Sequence, residues 1–340
     1  MPEIFFRLDA GPKYGLGHFA RCYNLAKTFN TKNNLKCYFI CAKKSKNFFL
    51  NKNYNFIKFI FIPSKGFNSA EINILKKKIK NKKKPILIID SKEKIKNYLN
   101  EIKDLFFLVC FDDEDFRDLK CNLIINNNIN ANNFSYSKLS NNRQILTGHK
   151  YNLIPSLFFK KKKVKKKVKK IVISFGGEDP KNHTLFFLKN YYKLFKNINI
   201  SIILGPAHPD LNSIKFFLKL NKLKAKLFVN PKSIYDIFKN VDLAISACGT
   251  TIYELAALGK PIVAAAVEKH QLKLLNYLKK NKYIEKIILN TKNYSKNLFL
   301  LKKIIDNYNY RKKISDNLSR KFTCSGANVL SSKILYYYEK

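Results

Sequence analysis

The sequence predicts an α/β protein built from two doubly wound, Rossmann-like parallel sheets with a cleft between them. Three observations lead there. Short apolar runs alternate with amphipathic stretches of helical period in both halves. The chain is 340 residues long, enough for two domains. The alternation is broken once, by the run Lys160 to Lys170 (KKKKVKKKVKK), and then starts again. A block of like charge repels itself and stays in solvent, so this run reads as a linker or an edge. The expected domains are 1–158 and 171–340, joined by 159–170.

The first half opens on Ile4-Phe5-Phe6-Arg7-Leu8, a short apolar strand. Further strands are expected at 35–42, 56–62, 85–90, 105–111 and 123–126, with helices at 70–80 and 95–102 between them. The second half repeats the theme. Strands are expected at 171–175, 199–204, 225–229, 241–246 and 261–267, and helices at 213–220, 234–238, 252–258, 272–280 and from about 307 onward. Asp179 is a candidate N-cap with Pro180 at the first helical position. Gly259 with Pro261 beyond it marks a helix stop.

The stretch from Gly11 to Phe29 carries the first chemistry. Gly11, Gly15 and Gly17 make a tight turn in which a ligand can approach the backbone. His18 falls in the first turn of the following helix, where the positive end of the helix dipole favours a neutral imidazole able to accept a proton. Arg21 lies one turn on, on the same face, and acts in the same direction. The spacing is neither a P-loop, which needs Gly-Lys-Ser/Thr, nor the dinucleotide fingerprint, which wants a third glycine where Phe19 and Ala20 stand.

Two more glycine turns follow strands, at Gly176-Gly177 and at Gly249. The free N–H groups of a helix start can hold phosphate at such turns. At the last, Thr250 and Thr251 add hydroxyl donors, and Glu254 lies about one turn along, where a carboxylate could accept both hydroxyls of a ribose. Its plainer reading is a first-turn acid that complements the dipole. Asp112 and Asp113 could pass for a metal pair, but adjacent strand residues point to opposite faces. His149, His183 and His208 are given no role.

Composition bounds the partners. There are 66 Lys plus Arg against 23 Asp plus Glu, a formal charge of +43. Such a charge raises nucleic acid as a partner. Here the lysines are spread through a chain rich in Asn, Ile, Phe and Tyr, the residues of A/T-rich codons, so no nucleic acid is expected. The seven cysteines form no Cys-x-x-Cys pair and sit mostly in apolar settings, as unpaired core thiols in a reducing compartment would. MPEIFFRLDA lacks the apolar core of a signal peptide, and no run is long enough to span a bilayer. A cytoplasmic monomer that does not bind membranes is expected.

The motifs taken in order resemble a known family. Gly15-Leu16-Gly17-His18-Phe19-Ala20-Arg21, Ile89-Asp90, Phe111-Asp112-Asp113, Gly148 to Pro155 (GHKYNLIP), Phe175 to Asp179 (FGGED), Asp242 to Glu254 and His270-Gln271 together resemble PseG-type UDP-sugar hydrolases of pseudaminic acid biosynthesis. That family is similar in architecture to two-domain GT-B glycosyltransferases such as MurG. The resemblance implies cleavage of UDP-2,4-diacetamido-2,4,6-trideoxy-β-L-altropyranose between the anomeric carbon and the diphosphate, with inversion and without metal or other cofactor. It makes His18 the general base for water. It puts the phosphates on amides near Gly15, Gly17, Gly249, Thr250 and Thr251, with Arg21, Gly176 and Gly177 lining the site. It places the uridine ribose on Glu254, Tyr151 near the uracil or the hinge, and His270 and Gln271 near the sugar or diphosphate. Two positions depart from the family. Asp90-Ser91-Lys92 stands for Asp-His-Tyr, and His270 stands where Asn is usual; both bear on the sugar more than on UDP.

Three rival readings stay open at this level: a GT-B transferase using a UDP-sugar donor, a basic nucleic-acid-binding protein, and a hydrolysing UDP-sugar epimerase.

Overall fold

The computed structural model describes residues 2–9, 17–49, 54–63, 66–79, 84–91, 93, 95–113, 119–131, 136, 143–161, 163–177, 179–205 and 208–340. Among them are two compact units, Met1–Ile154 with Ser325–Lys340, and Pro155–Cys324.

The first unit is a seven-stranded, all-parallel sheet. Its strands are β1 (Ile4–Leu8), β2 (Cys37–Ala42), β3 (Ile57–Ile62), β4 (Ile86–Asp90), β5 (Phe107–Phe111), β6 (Leu123–Asn126) and β7 (Gln144–Thr147). The order β3-β2-β1-β4-β5-β6-β7 reverses direction between β1 and β4, and the carboxyl ends of strands at such a switch point are where open α/β sheets bind ligands. Parallel strands need covered faces, which is why most residues of these runs are apolar. On one face lie α1 (Gly17–Asn33) and α12 (Ala327–Glu339). There Phe19, Cys22, Leu25, Ala26 and Phe29 meet Leu330 and Ile334 in one buried cluster. On the other face α3 (Ser69–Lys78) and α4 (Lys96–Ile102) cover a second cluster built on Phe5, Leu87, Leu99 and Phe106.

The second unit is a six-stranded parallel sheet, order β10-β9-β8-β11-β12-β13, with its own reversal between β8 and β11. Its strands are β8 (Lys170–Ser174), β9 (Asn199–Leu204), β10 (Ala225–Val229), β11 (Leu243–Ala247), β12 (Ile262–Ala265) and β13 (Glu285–Lys286). Between and after them run α5 (His183–Tyr191), α6 (Leu211–Leu220), α7 (Ile234–Phe238), α8 (Thr251–Ala257), α9 (Gln271–Lys280), α10 (Tyr294–Asp306) and α11 (Tyr308–Lys321).

The units divide the chain differently from the expected boundaries. The last helix, α12, belongs to the first unit rather than the second. Gly326 makes the return possible. Its N–H donates to the Asn152 carbonyl at 2.8 Å, and a Cβ there would stand 2.5 Å from the Lys150 oxygen. Gly326→Ala is expected to cost about 1–3 kcal/mol in urea unfolding, because the backbones must part. The lysine-rich run is not a free tether either. The Lys169 and Lys170 amides both donate to Asp242 Oδ2 at 2.9 Å. The carbonyls of Lys165 and Lys166 accept from the fully buried Arg311. Its side chains reach solvent while its backbone is tied to the second unit.

Strand β7, strand β13 and helix α10 were not anticipated from the sequence. Six of the seven cysteines are buried and all seven are free; Cys324 is exposed. No helix among the described residues is long and apolar enough to cross a membrane.

Candidate active site

In the first unit the site is set by helical spacing on α1. His18, Arg21 and Cys22 are related by three and four residues, so they share one face. Leu25 and Phe29 continue that face into the core, which draws its first turn against the carboxyl ends of β4 and β5. Asp90 is the last residue of β4 and Asp113 lies two past β5. The His18 Nδ1 lies 2.6 Å from Asp90 Oδ1. Arg21 reaches across both acids. Its Nε and Nη2 donate to the two Asp90 oxygens, and its Nη1 and Nη2 donate to Asp113 at 2.8 and 2.6 Å. The guanidinium lies 4.7 Å from the centre of the Phe111 ring. Cys22 Sγ adds a weak contact to Asp90 at 3.5 Å.

The electrostatics favour a charged Asp90. Burial alone would raise its pKa, but the Arg21 guanidinium and then His18 outweigh that and hold the carboxyl well below the ordinary range. Burial likewise works against Arg21, and Asp113 and Asp90 together hold its guanidinium firmly protonated. An ionised Asp90 can only accept, so the Nδ1 of a neutral His18 carries the proton and donates it. The lone pair then sits on Nε2. Carboxylates orient histidine bases this way in hydrolases. Nε2 makes no hydrogen bond among the described residues, and His18 as a whole is 8% exposed.

The donor atoms of His18, Asp90 and Asp113 lie within 4.8 Å of one another, close enough to share a cation. Arg21 already stands among them and donates to both carboxylates. The positive charge that a metal would bring is supplied by a side chain. Asp112 turns the other way and accepts from the Tyr136 hydroxyl at 3.0 Å, as strand alternation requires. Ser91 is buried, donates to Asp9 and accepts from the Glu93 amide.

Tyr151, expected near the uracil or the hinge, lies three residues before the boundary between the units at Ile154. It is 5% exposed and packs in the same cluster as Leu25 and Leu330. Gly17 opens α1 beside His18, while Gly15 lies outside the described residues, as do Leu16, Lys92 and Glu178.

In the second unit β8, β11 and β12 are neighbours, so the turns that follow them adjoin at one end of the sheet. Gly249, Thr250 and Thr251 lead from β11 into α8, and no side chain caps that helix. Gln271 opens α9 after β12 with exposed His270 just before it. The Gln271 Oε1 accepts from the Val267 amide at 3.0 Å. Its Nε2 lies 3.8 Å from where a Cβ on residue 249 would stand. Glu254 is half-buried on α8, and loss of solvation pushes its carboxyl up to about 7. A carboxylate held this way is poised to gain donors.

The Gly176-Gly177 turn departs from the expectation that it leaves a helix start free for phosphate. Helix α5 begins only at His183, with Asn182 at the cap and accepting from Leu185. The Asp179 carboxylate accepts from the His183 and Thr184 amides at 2.8 Å each. The protein's own anion fills that position. The turn stays close to β9 because the Gly205 amide donates to the Gly177 carbonyl at 2.7 Å. A Cβ on residue 205 would meet that same oxygen at 2.3 Å.

The sequence places His18 and Arg21 on one helix face but does not show that Asp90 and Asp113 meet them. The available signal was an acid at the end of each of two consecutive apolar strands, beside a switch point.

Two parallel α/β units of this topology define a GT-B fold, the fold of nucleotide-sugar glycosyltransferases such as MurG. Acinetobacter baumannii MurG superposes with a TM-score of 0.67 at 12% identity, covering 98% of this chain and 100% of that one. Anabaena HepE, solved in complex with UDP-glucose, gives 0.63 at 12% identity over 98% and 99%. In sequence, an uncharacterized protein of Methanocaldococcus jannaschii is 28% identical over 301 residues, 82% of this chain and 58% of its own length. The Bacillus subtilis spore coat polysaccharide biosynthesis protein SpsG is 23% identical over 77% of each chain. A Helicobacter pylori protein named pseudaminic acid cytidylyltransferase and UDP-2,4-diacetamido-2,4,6-trideoxy-β-L-altropyranose hydrolase is 24% identical over 76% of this chain and 43% of its own. The chain thus spans little more than half of the first of these relatives and less than half of the last. No family model matches the chain.

Proposed function

We propose that this chain hydrolyses a UDP-sugar at its anomeric carbon, with His18 as the base. The observation that carries the reading is the His18–Asp90 contact, which leaves Nε2 as the acceptor on a buried, oriented imidazole. In the proposed step Nε2 takes a proton from water while the water oxygen bonds to the anomeric carbon. The bond from that carbon to the diphosphate oxygen breaks, and its electron pair leaves with UDP. Attack opposite the leaving group inverts the centre. The substrate named for the Helicobacter relative, UDP-2,4-diacetamido-2,4,6-trideoxy-β-L-altropyranose, is the candidate of first choice.

The second unit holds the nucleotide in this reading. The amides of the uncapped α8 start take the diphosphate, aided by Thr250, Thr251 and the Gln271 side chain. Gly176, Gly177 and His270 add to the lining of this second-unit site, Gly17 adds to that around His18 in the first unit, and Glu254 takes the ribose hydroxyls. Incubating the protein with the UDP-sugar and no acceptor, followed by NMR, tests this directly. Steady release of free sugar and UDP is expected. Release of UDP only when an acceptor alcohol is added, with the sugar found on that alcohol, would instead identify a transferase, the activity that the MurG likeness of the fold brings forward.

The Glu254 assignment makes a separate prediction. Ribose hydroxyls donate best to the ionised form, and the free carboxyl titrates near 7. Binding should therefore release a proton and tighten as pH rises. Uridine, which has no phosphate to titrate, should bind about tenfold more tightly at pH 8 than at pH 6. Glu254→Gln should bind more weakly at pH 8 and lose this dependence in calorimetry. A pH-independent wild type would move the ribose elsewhere.

A further inference from the structure

Helix α6 is apolar on two sides, and only one of them is used by the fold. Ile214 and Leu218 are buried, and Phe217 packs edge-on to Tyr192 with ring centres 5.5 Å apart. On the outer side Phe216 is 68% exposed and Leu220, one turn on, is 67% exposed. Residues four apart share a face, so the two side chains form one apolar ridge on the surface. Lys215 and Lys219 run alongside at the same spacing, and both are exposed. The chain continues through Lys222 and Lys224 into the edge strand β10, and Lys224, Lys226 and Val229 are also exposed. Residues 211–230 hold five lysines and no aspartate or glutamate.

We propose that this face of the second unit docks on an anionic lipid bilayer. A protruding phenylalanine and leucine framed by lysines is the arrangement by which a surface helix enters the boundary between headgroups and acyl chains. The lysines select an anionic partner. A second copy of this chain would bring another +43 of like charge and is repelled. Leu220 separates lipid from nucleic acid, since an aliphatic side chain gains by entering hydrocarbon and has no ring on which bases stack. This binding is peripheral, it runs against the expectation that the chain leaves membranes alone, and it does not depend on the proposed hydrolysis.

The test is sedimentation of the full chain with vesicles of phosphatidylcholine alone and of phosphatidylcholine with phosphatidylglycerol. Binding is expected only to the mixed vesicles, weakening as salt rises. Phe216→Ser with Leu220→Ser should reduce it at least tenfold, and Lys215→Glu with Lys219→Glu at least as much. The changed side chains are exposed, so both variants should keep wild-type thermal unfolding and wild-type affinity for uridine. Equal sedimentation of the Ser double variant would overturn the proposal, because net charge alone would then hold the bilayer. Failure of the wild type to bind vesicles, with salt-dependent retention on a short RNA, would overturn it in favour of nucleic acid.

Discussion

His18→Ala is expected to release almost no free sugar from the UDP-sugar while still binding UDP. General base catalysis is worth about 10²–10⁴-fold, and a loss in that range in kcat is the expected result by NMR. The nucleotide-binding residues proposed here lie on α8 and α9 of the other unit, so UDP affinity in calorimetry should change little. The fold should also survive. Asp90 keeps Arg21 when the imidazole is gone, and Arg21 keeps Asp113. Turnover equal to wild type would remove His18 from the mechanism and leave the identity of the base open. Weakened UDP binding together with lost turnover would instead mean that the ring serves to hold the substrate.

Asp90→Asn is expected to damage both rate and stability. The carboxamide matches the acid in size but can offer an NH₂ to Nδ1, which moves the imidazole proton to Nε2 and takes away the acceptor. Loss of a comparable orienting carboxylate costs about 10⁴-fold in a serine protease, and a fall of about 10²–10⁴-fold in kcat is expected here. The same change leaves Arg21 with one carboxylate in a buried setting. Breaking a buried pair by removing one partner costs about 3–5 kcal/mol, measurable in urea. The pH dependence has a definite sign. The Asp90 carboxyl is held below its ordinary value in the folded protein, so its stabilisation is complete above about pH 4 and fades as pH falls further. Wild type and Asp90→Asn should therefore differ most near neutrality and converge in acid. Asp113→Asn should also lose stability in urea, by a smaller amount, because that carboxylate is nearly a third exposed and solvent screens it.

What could be read from the sequence followed from local physics. Short, mostly apolar runs such as 86–90 and 243–247, set between helical stretches, read as buried parallel strands because both faces of such a strand are covered. The position of His18 in a first helical turn, and its sharing a face with Arg21, needed only the helical repeat. The opposite orientations of Asp112 and Asp113 needed only the strand repeat. What could not be read depended on which segments meet across long separations. Asp90 and Asp113 come to His18 only because β1, β4 and β5 are neighbours, and strand order is a property of the whole sheet. Asp179 looked like the cap of a helix starting at Pro180. Its left-handed backbone (φ 38°) and that of Asn182 (φ 51°) delay the start to His183, so the acid reaches the amides from outside.

By itself the sequence determined two α/β units, a histidine at a helix start that shares a face with an arginine, and glycine turns after strands. The tertiary structure decided that the histidine has a carboxylate behind it, that an arginine occupies the place between two acids, and that Tyr151 is core. It also decided that the last helix returns to the first unit. The reason is the range of the forces. Helical and strand periodicities act over a few residues, whereas partners of buried charges and of apolar faces are chosen among all segments that can reach them.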